Sequence, residues 1–201
     1  MKKESLLLIV VSLIVGLLGG YLVFNLSTKK DEAPAGGGMP LGAGSPTDYQ
    51  QRIAEGEKIV AREPKNLQVW IQLGNDYFDT DQPQKAVNAY GKALEIEPNN
   101  PNILTDQGVM FRRLGWFDKA LANFEKAQQI DPKHVQSIYN MGIVYAYDLK
   151  QADKAIQTWT RYLQFDSTSP QAQQVKGLVE QLKNNPAEFF KSAGFTRQPG
   201  Q

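Results

Sequence analysis

The chain has no cysteine, and its 201 residues include a single histidine. The first absence removes disulfides, thiolate metal sites, thiol nucleophiles and lipid-modified cysteines. The second leaves one imidazole, His134, just after Asp131, Pro132 and Lys133 in what reads as an exposed polar turn; without neighbouring ligands it supports neither metal binding nor catalysis. A surplus of charge is missing too. Lys and Arg number 22 against 21 Asp and Glu, a net charge of +1, which gives no general attraction to nucleic acid. No acid, base and nucleophile converge in the pattern, so the sequence predicts a protein that is not an enzyme and needs no cofactor or metal.

Charge is also absent from Ser5 to Leu26, "SLLLIVVSLIVGLLGGYLVFNL". As a helix rising ~1.5 Å per residue this run is roughly 33 Å long, enough to cross a bilayer. It is longer than the apolar part of a cleavable signal, and no small-x-small cleavage site follows it, so residues 5–26 are expected to be a retained single-pass anchor. Lys2 and Lys3 before the span and Lys29 and Lys30 after it nearly balance the positive-inside count. A short basic N-terminus favours a signal anchor in the cell membrane, which would place the rest of the chain outside the cytoplasm, in a periplasm or other extracytoplasmic space. Ser12, Gly16 and Gly20 recur every fourth residue, a small-xxx-small face on which two such helices could pair as a homodimer. Residues 27–46 are dominated by Gly, Pro, Ala and Ser and have no core-forming pattern, as expected of a flexible linker.

Beyond the linker the chain repeats itself. "YGKALEIEP", beginning at Tyr90, returns 34 residues later as "FEKAQQIDP", beginning at Phe124. Trp70, Leu73, Gly74, Tyr77, Ala86, Tyr90, Ala93 and Pro98 have Leu104, Gln107, Gly108, Phe111, Ala120, Phe124, Ala127 and Pro132 as counterparts, and only the Leu73/Gln107 pair changes chemical type. A third unit opens with Ile138, Met141, Gly142 and Tyr145, then slips by one residue, so that Ala155 and Trp159 fill the next registers. The slip reads as an extra loop residue between Leu149 and Ala152. Spacings of three and four within each unit mark two amphipathic helices, neither able to bury its apolar face alone. Gly74, Gly108 and Gly142 fall in mid-helix, where glycine costs ~1 kcal/mol relative to alanine, so their recurrence points to a helix crossing too close for a Cβ. Pro98 and Pro132 stop the second helices.

This period and these registers, Trp-x2-Leu-Gly-x2-Tyr followed by Ala-x3-Tyr-x2-Ala-x4-Pro from Trp70 to Pro98, resemble the tetratricopeptide repeat (TPR). The resemblance implies an all-α solenoid of three helix-turn-helix units, 67–100, 101–134 and 135–168, with a concave groove that holds a polypeptide segment. A lone helix at 47–62, with capping-box spacing from Thr47 to Gln50, precedes the array, and a polar-backed capping helix at 169–184 opens on Ser169 and Pro170. Tyr162 stands where Ala93 and Ala127 stood and Ser167 replaces the proline, so the last unit should pack differently. Phe189, Phe190 and Phe195 make the tail, 186–201, apolar enough to dock on the capping helix of its own domain or on a partner.

The family alignment sends the residues between the framework registers to the groove. Chief among them are Ile71, Asn75, Phe78, Val109, Arg112, Arg113, Tyr139, Ile143 and Tyr147, with Thr105 and Ala146 beside them. Six apolar or aromatic side chains on one face exceed what a monomer usually exposes, and Arg112 and Arg113 are the groups expected to grip a carboxylate of the bound segment. Chaperone adaptors of this family clamp a terminal carboxylate with Lys and Asn, Asn, then Lys and Arg. The matching positions here are Ile71 and Asn75, Asp106, then Gln136 and Asn140, and Asn75 alone agrees, which disfavours that clamp. The functional expectation is a membrane-anchored scaffold serving assembly or maturation of envelope proteins, as similar anchored domains do in cytochrome c maturation. A self-associating structural protein and a cytoplasm-facing adaptor remain open beside it.

Overall fold

The computed structural model describes residues 46–192, and its described residues are helical throughout, without a strand. The anchor at 5–26, its small-residue face, the linker up to residue 45 and Phe195 lie outside them. No helix among the described residues is long and apolar enough to cross a membrane. Among the described residues nine α-helices follow one another: α1 Pro46–Arg62, α2 Leu67–Asp79, α3 Pro83–Ile96, α4 Pro101–Arg113, α5 Phe117–Ile130, α6 Val135–Ile143, α7 Ala152–Phe165, α8 Pro170–Asn184 and α9 Pro186–Ser192. A π-helical turn, Val144–Asp148, extends α6. Each helix packs on the next, and α4 also lies against α6, so α2, α4 and α6 are the first helices of three stacked pairs and α3, α5 and α7 the second.

Helix starts are written with caps at the repeat interval. The side chains of Asn66 and Asn100 accept backbone N–H groups of Val69 (3.3 Å) and Ile103 (3.2 Å), and His134 does the same through Nδ1 for Ser137 (3.3 Å). His134 is therefore a half-buried N-cap rather than an exposed turn residue. Its Nε2–H donates to Asn102 Oδ1 (2.9 Å), which fixes Nδ1 as the acceptor, and burial pushes its pKa down, favouring the neutral ring that capping requires. The first helix begins at Pro46, so Thr47 lies inside its first turn and is not the cap that the capping-box spacing suggests.

Each pair is locked by the close crossing that the glycines imply. A Cβ on Gly108 would come within 2.5 Å of the Phe124 ring, and Gly74 and Gly142 stand in the same relation to Tyr90 and Trp159. Gln107, the polar exception in the Leu73 register, is buried with its amide satisfied: Nε2 donates to Val87 O (3.0 Å) and Oε1 accepts from Asn123 (2.8 Å), so it joins α3, α4 and α5. Tyr162 is fully buried between α7 and the elements around it, its hydroxyl donating to Asp166 Oδ2 (2.7 Å). Asp166 also takes the Ser169 backbone N–H (3.2 Å) and hydroxyl, which holds its carboxyl down at about 2 and shapes the turn into α8 where the proline is missing.

The slip in the third unit does not lie in the loop. At the end of α2, Thr80 N–H bonds to Asp76 O, and at the end of α4, Leu114 N–H bonds to Met110 O; in the third unit Leu149 N–H reaches back five residues to Val144 O (2.9 Å). Asp76, Met110 and Val144 are evenly spaced by 34, whereas Leu149 stands 35 after Leu114. The extra residue is wound into the π-turn, a position that sequence spacing cannot distinguish from a loop insertion. It also moves Tyr147 into the register of Phe78 and Arg112, and makes Asp148 the last helical residue, as Asp79 and Arg113 are in their units.

Candidate functional site

Helices α2, α4 and α6 bring the expected groove residues onto one face, yet that face is less apolar than the sequence suggests. Ile71, Asn75, Phe78, Val109, Tyr139, Ile143 and Tyr147 are all half-buried, while Thr105 and Ala146 are buried outright and line nothing. Neighbouring first helices share these side chains: Ile71, Phe78 and Val109 pack against the core of the first two units, and Tyr139, Ile143 and Tyr147 against that of the third. The large exposed apolar patch is thus reduced to their outer edges. Tyr147 is covered further by the tail, because α9 docks with Phe189 buried and its ring 5.3 Å from that of Tyr147.

The two arginines, expected to grip a bound carboxylate, already have partners within the chain. Arg112 already holds one of its own chain, with Nε 2.5 Å from Asp148 Oδ2 and Nη2 3.2 Å from Oδ1. Arg113 lies over the Phe78 ring, 4.5 Å from its centre, and donates through Nη1 to Phe78 O (3.3 Å) and Asp81 Oδ1 (3.2 Å). The alignment placed both residues correctly on the helix but could not show these partners, one of which owes its position to the π-turn.

What the expected set missed is a polar floor between α2 and α4. Tyr90, buried beneath α2, donates its hydroxyl to Asn75 Oδ1 (2.8 Å). Its pKa is pushed well up, by burial first and then by the nearby negative charge of Asp106. The Asp106 side chain makes no hydrogen bond or ion pair with any described residue. Burial alone raises its carboxyl to about 6. A sequence signal did exist: α2, α4, α6 and the π-turn carry two cations, Arg112 and Arg113, against four carboxylates, Asp76, Asp79, Asp106 and Asp148.

Folding therefore works against Asp106 at neutral pH. Because the folded pKa lies above the unfolded one, the carboxyl costs stability above about pH 6, and that cost lifts as pH falls towards the unfolded value near 4. Asp106→Asn is expected to stabilise the fold by about 1–2 kcal/mol near pH 7.5 and by almost nothing near pH 4. Urea melts of both proteins at the two pH values would check this, and taking their difference cancels the titration of His134.

The stacked helix pairs, close crossings at glycine and capped ends define a helical-repeat solenoid of the kind that presents a surface. Residues 67–100 match the family model described as tetratricopeptide repeat, and a second model of that description matches residues 89–122. Tetratricopeptide repeats are thus shown over residues 67–122. It is 26% identical over 112 residues to Hsp70-Hsp90 organizing protein 2 of Arabidopsis thaliana, a match that covers 55% of this chain and 19% of that one. Across the first curated relatives the match spans between 6 and 35% of their length. Among solved structures, MamA superposes with a TM-score of 0.62 at 21% identity, covering 73% of this chain and 81% of that chain. The first TPR of Spaghetti bound to an HSP90 peptide gives 0.53 at 21%, covering 57% and 90%. These likenesses establish the fold.

Proposed function

We propose that the protein is a non-enzymatic scaffold that holds a polypeptide segment on the face formed by α2, α4 and α6, and does so at a membrane to which residues 5–26 anchor it. The observation that carries the reading is the face itself. Ile71, Val109, Tyr139 and Ile143 show half-buried side chains on these helices, Asn75 beside them has an Nδ2 with no partner among the described residues, and α9 lays Phe189 against Tyr147. Solved structures of the same fold include one bound to an HSP90 peptide and one described as a pHsp70 complex, which supports peptide holding as a use of this face. A terminal carboxylate clamp of the adaptor kind is not part of the reading, since Asp106 would repel it and Asn140 is buried with its amide donating to Gln136 O (2.9 Å). The apolar run at 5–26 supports the anchor, and its basic N-terminal flank a domain outside the cytoplasm, where assembly or maturation of envelope proteins is the service proposed.

A photo-crosslinking residue placed in living cells at Val109 or Ile143 should trap a partner polypeptide in the membrane fraction, and the same residue at the exposed Glu125 of α5 should not. Trapping from Glu125 alone, or recovery of the intact protein in the soluble fraction, would refute the face or the anchor respectively.

A further inference from the structure

The face has a charge that the fold leaves unanswered. Both cations of the first helices are spent within the chain, Arg112 on Asp148 and Arg113 on Phe78 and Asp81. Asp76 is likewise answered by Arg52 of α1, and Asp79 accepts the Tyr49 hydroxyl (3.3 Å). Asp106 has no such partner among the described residues, although it is largely withdrawn from water; its charge is felt at the buried Tyr90 of α3, and its helix packs on both α3 and the tyrosine-bearing α6. A solitary carboxylate in that position raises the energy of the free protein, and the cost is recovered only when a cation arrives.

We propose that Asp106 receives a lysine or arginine side chain of the segment held on this face. The inference rests on the peptide-holding reading and fixes its specificity. The incoming ammonium or guanidinium would lie against Asp106, with the side-chain amide of Asn75 and the Tyr90 hydroxyl as its polar surroundings and the edges of Val109 and Tyr139 against its methylene stem. An acidic segment faces the opposite situation, because the arginines that would attract it already have partners and the Asp106 carboxylate is unanswered. The same charge count separates this face from that of a carboxylate-binding adaptor, which needs free cations. Charge rejection here is as much a part of selectivity as attraction.

The test is selection of twelve-residue peptides from a random displayed library on the full-length protein in detergent, followed by solution binding of the recovered peptides. Peptides that bind the inner face should carry Lys or Arg at one common position. Changing that residue to Gln, or making Asp106→Asn in the protein, should each weaken binding about 10- to 100-fold. The two changes together should cost little more than either alone, and a peptide with Glu at that position should bind Asp106→Lys better than it binds the wild type. Asp106→Asn is expected to fold at least as well as the wild type, so lost binding cannot be ascribed to lost structure. Peptides blocked by Val109→Trp yet indifferent to Asp106→Asn, or rich in Asp and Glu, would overturn the inference while leaving the face as the binding surface. Peptides insensitive to Val109→Trp, or none recovered, would overturn the face and the inference with it. Recovery only after removal of residues 193–201 or after Arg197→Ala would identify the chain's own tail as the cation's source and overturn a partner segment as the occupant.

Discussion

Arg52→Ala is expected to destabilise the N-terminal end of the solenoid by about 3–5 kcal/mol, as breaking a buried ion pair from its more exposed side does. Arg52 of α1 holds Asp76 of α2 with Nε 3.2 and 3.3 Å from the two carboxylate oxygens and with Nη2 on Oδ1, and that hydrogen bonding raises its own pKa. The Asp76 side chain is wholly buried whereas Arg52 retains 34% exposure. Removing the arginine therefore strands a carboxylate with one remaining side-chain donor, Gln72 Nε2 at 3.1 Å, while Asp76→Ala leaves a guanidinium that can turn to water. The first substitution should cost more than the second. Because stacked repeats contact only their neighbours, the damage should be local: amide exchange should accelerate in α1 and the last turns of α2 and leave α7 and α8 protected. Equal losses from the two substitutions, or loss of protection throughout, would contradict this account.

At the other end, Gly142→Ala should cost about 3 kcal/mol or more, at the upper limit for adding one methyl group to a packed core. The new Cβ would collide with Nε1 and Cδ1 of Trp159 and lie 2.6 Å from Cε2. The indole cannot yield: it is fully buried, its Nε1–H donates to Tyr139 O (3.1 Å), and the Tyr147 ring closes its far side at 6.4 Å. Gly177 of α8 is the control, because nothing lies within 4 Å of a Cβ there. Gly177→Ala should stabilise by about 1 kcal/mol. Thermal melts of the two variants should move in opposite directions, and a neutral Gly142→Ala would mean that α6 and α7 can separate.

The two expectations show what the sequence could and could not carry. Gly142 and Trp159 sit at framework registers, and a framework register is a statement about backbone approach that any copy of the unit must satisfy; the close crossings, helix order and Phe189 docking could all be read from spacing and apolarity. The caps at Asn66, Asn100 and His134 were also written at the repeat interval, but no apolar periodicity marks them. The groove chemistry lies one level further on. Whether Arg112 is free depends on where Asp148 ends up, and that depends on whether one surplus residue is coiled into a helix or spilled into a loop. Asp106 was in view as a mismatch with the carboxylate clamp. Its isolation became evident only with every neighbouring cation paired.

The π-turn also shows what kind of genetic change such an array survives. A residue inserted in an ordinary helix rotates everything beyond it by about 100°, which would turn the next helix's buried face outward. Between Val144 and Asp148 the surplus is taken up in a wider turn instead, and beyond it Ala155 and Trp159 return, fully buried, to the roles of Ala120 and Phe124. One surplus residue is thus accommodated without loss of phase, and with it the third copy has its own side-chain partnerships, Asp148 with Arg112 and Tyr147 beneath Phe189. Copies that begin alike can diverge in this way by length as well as by substitution.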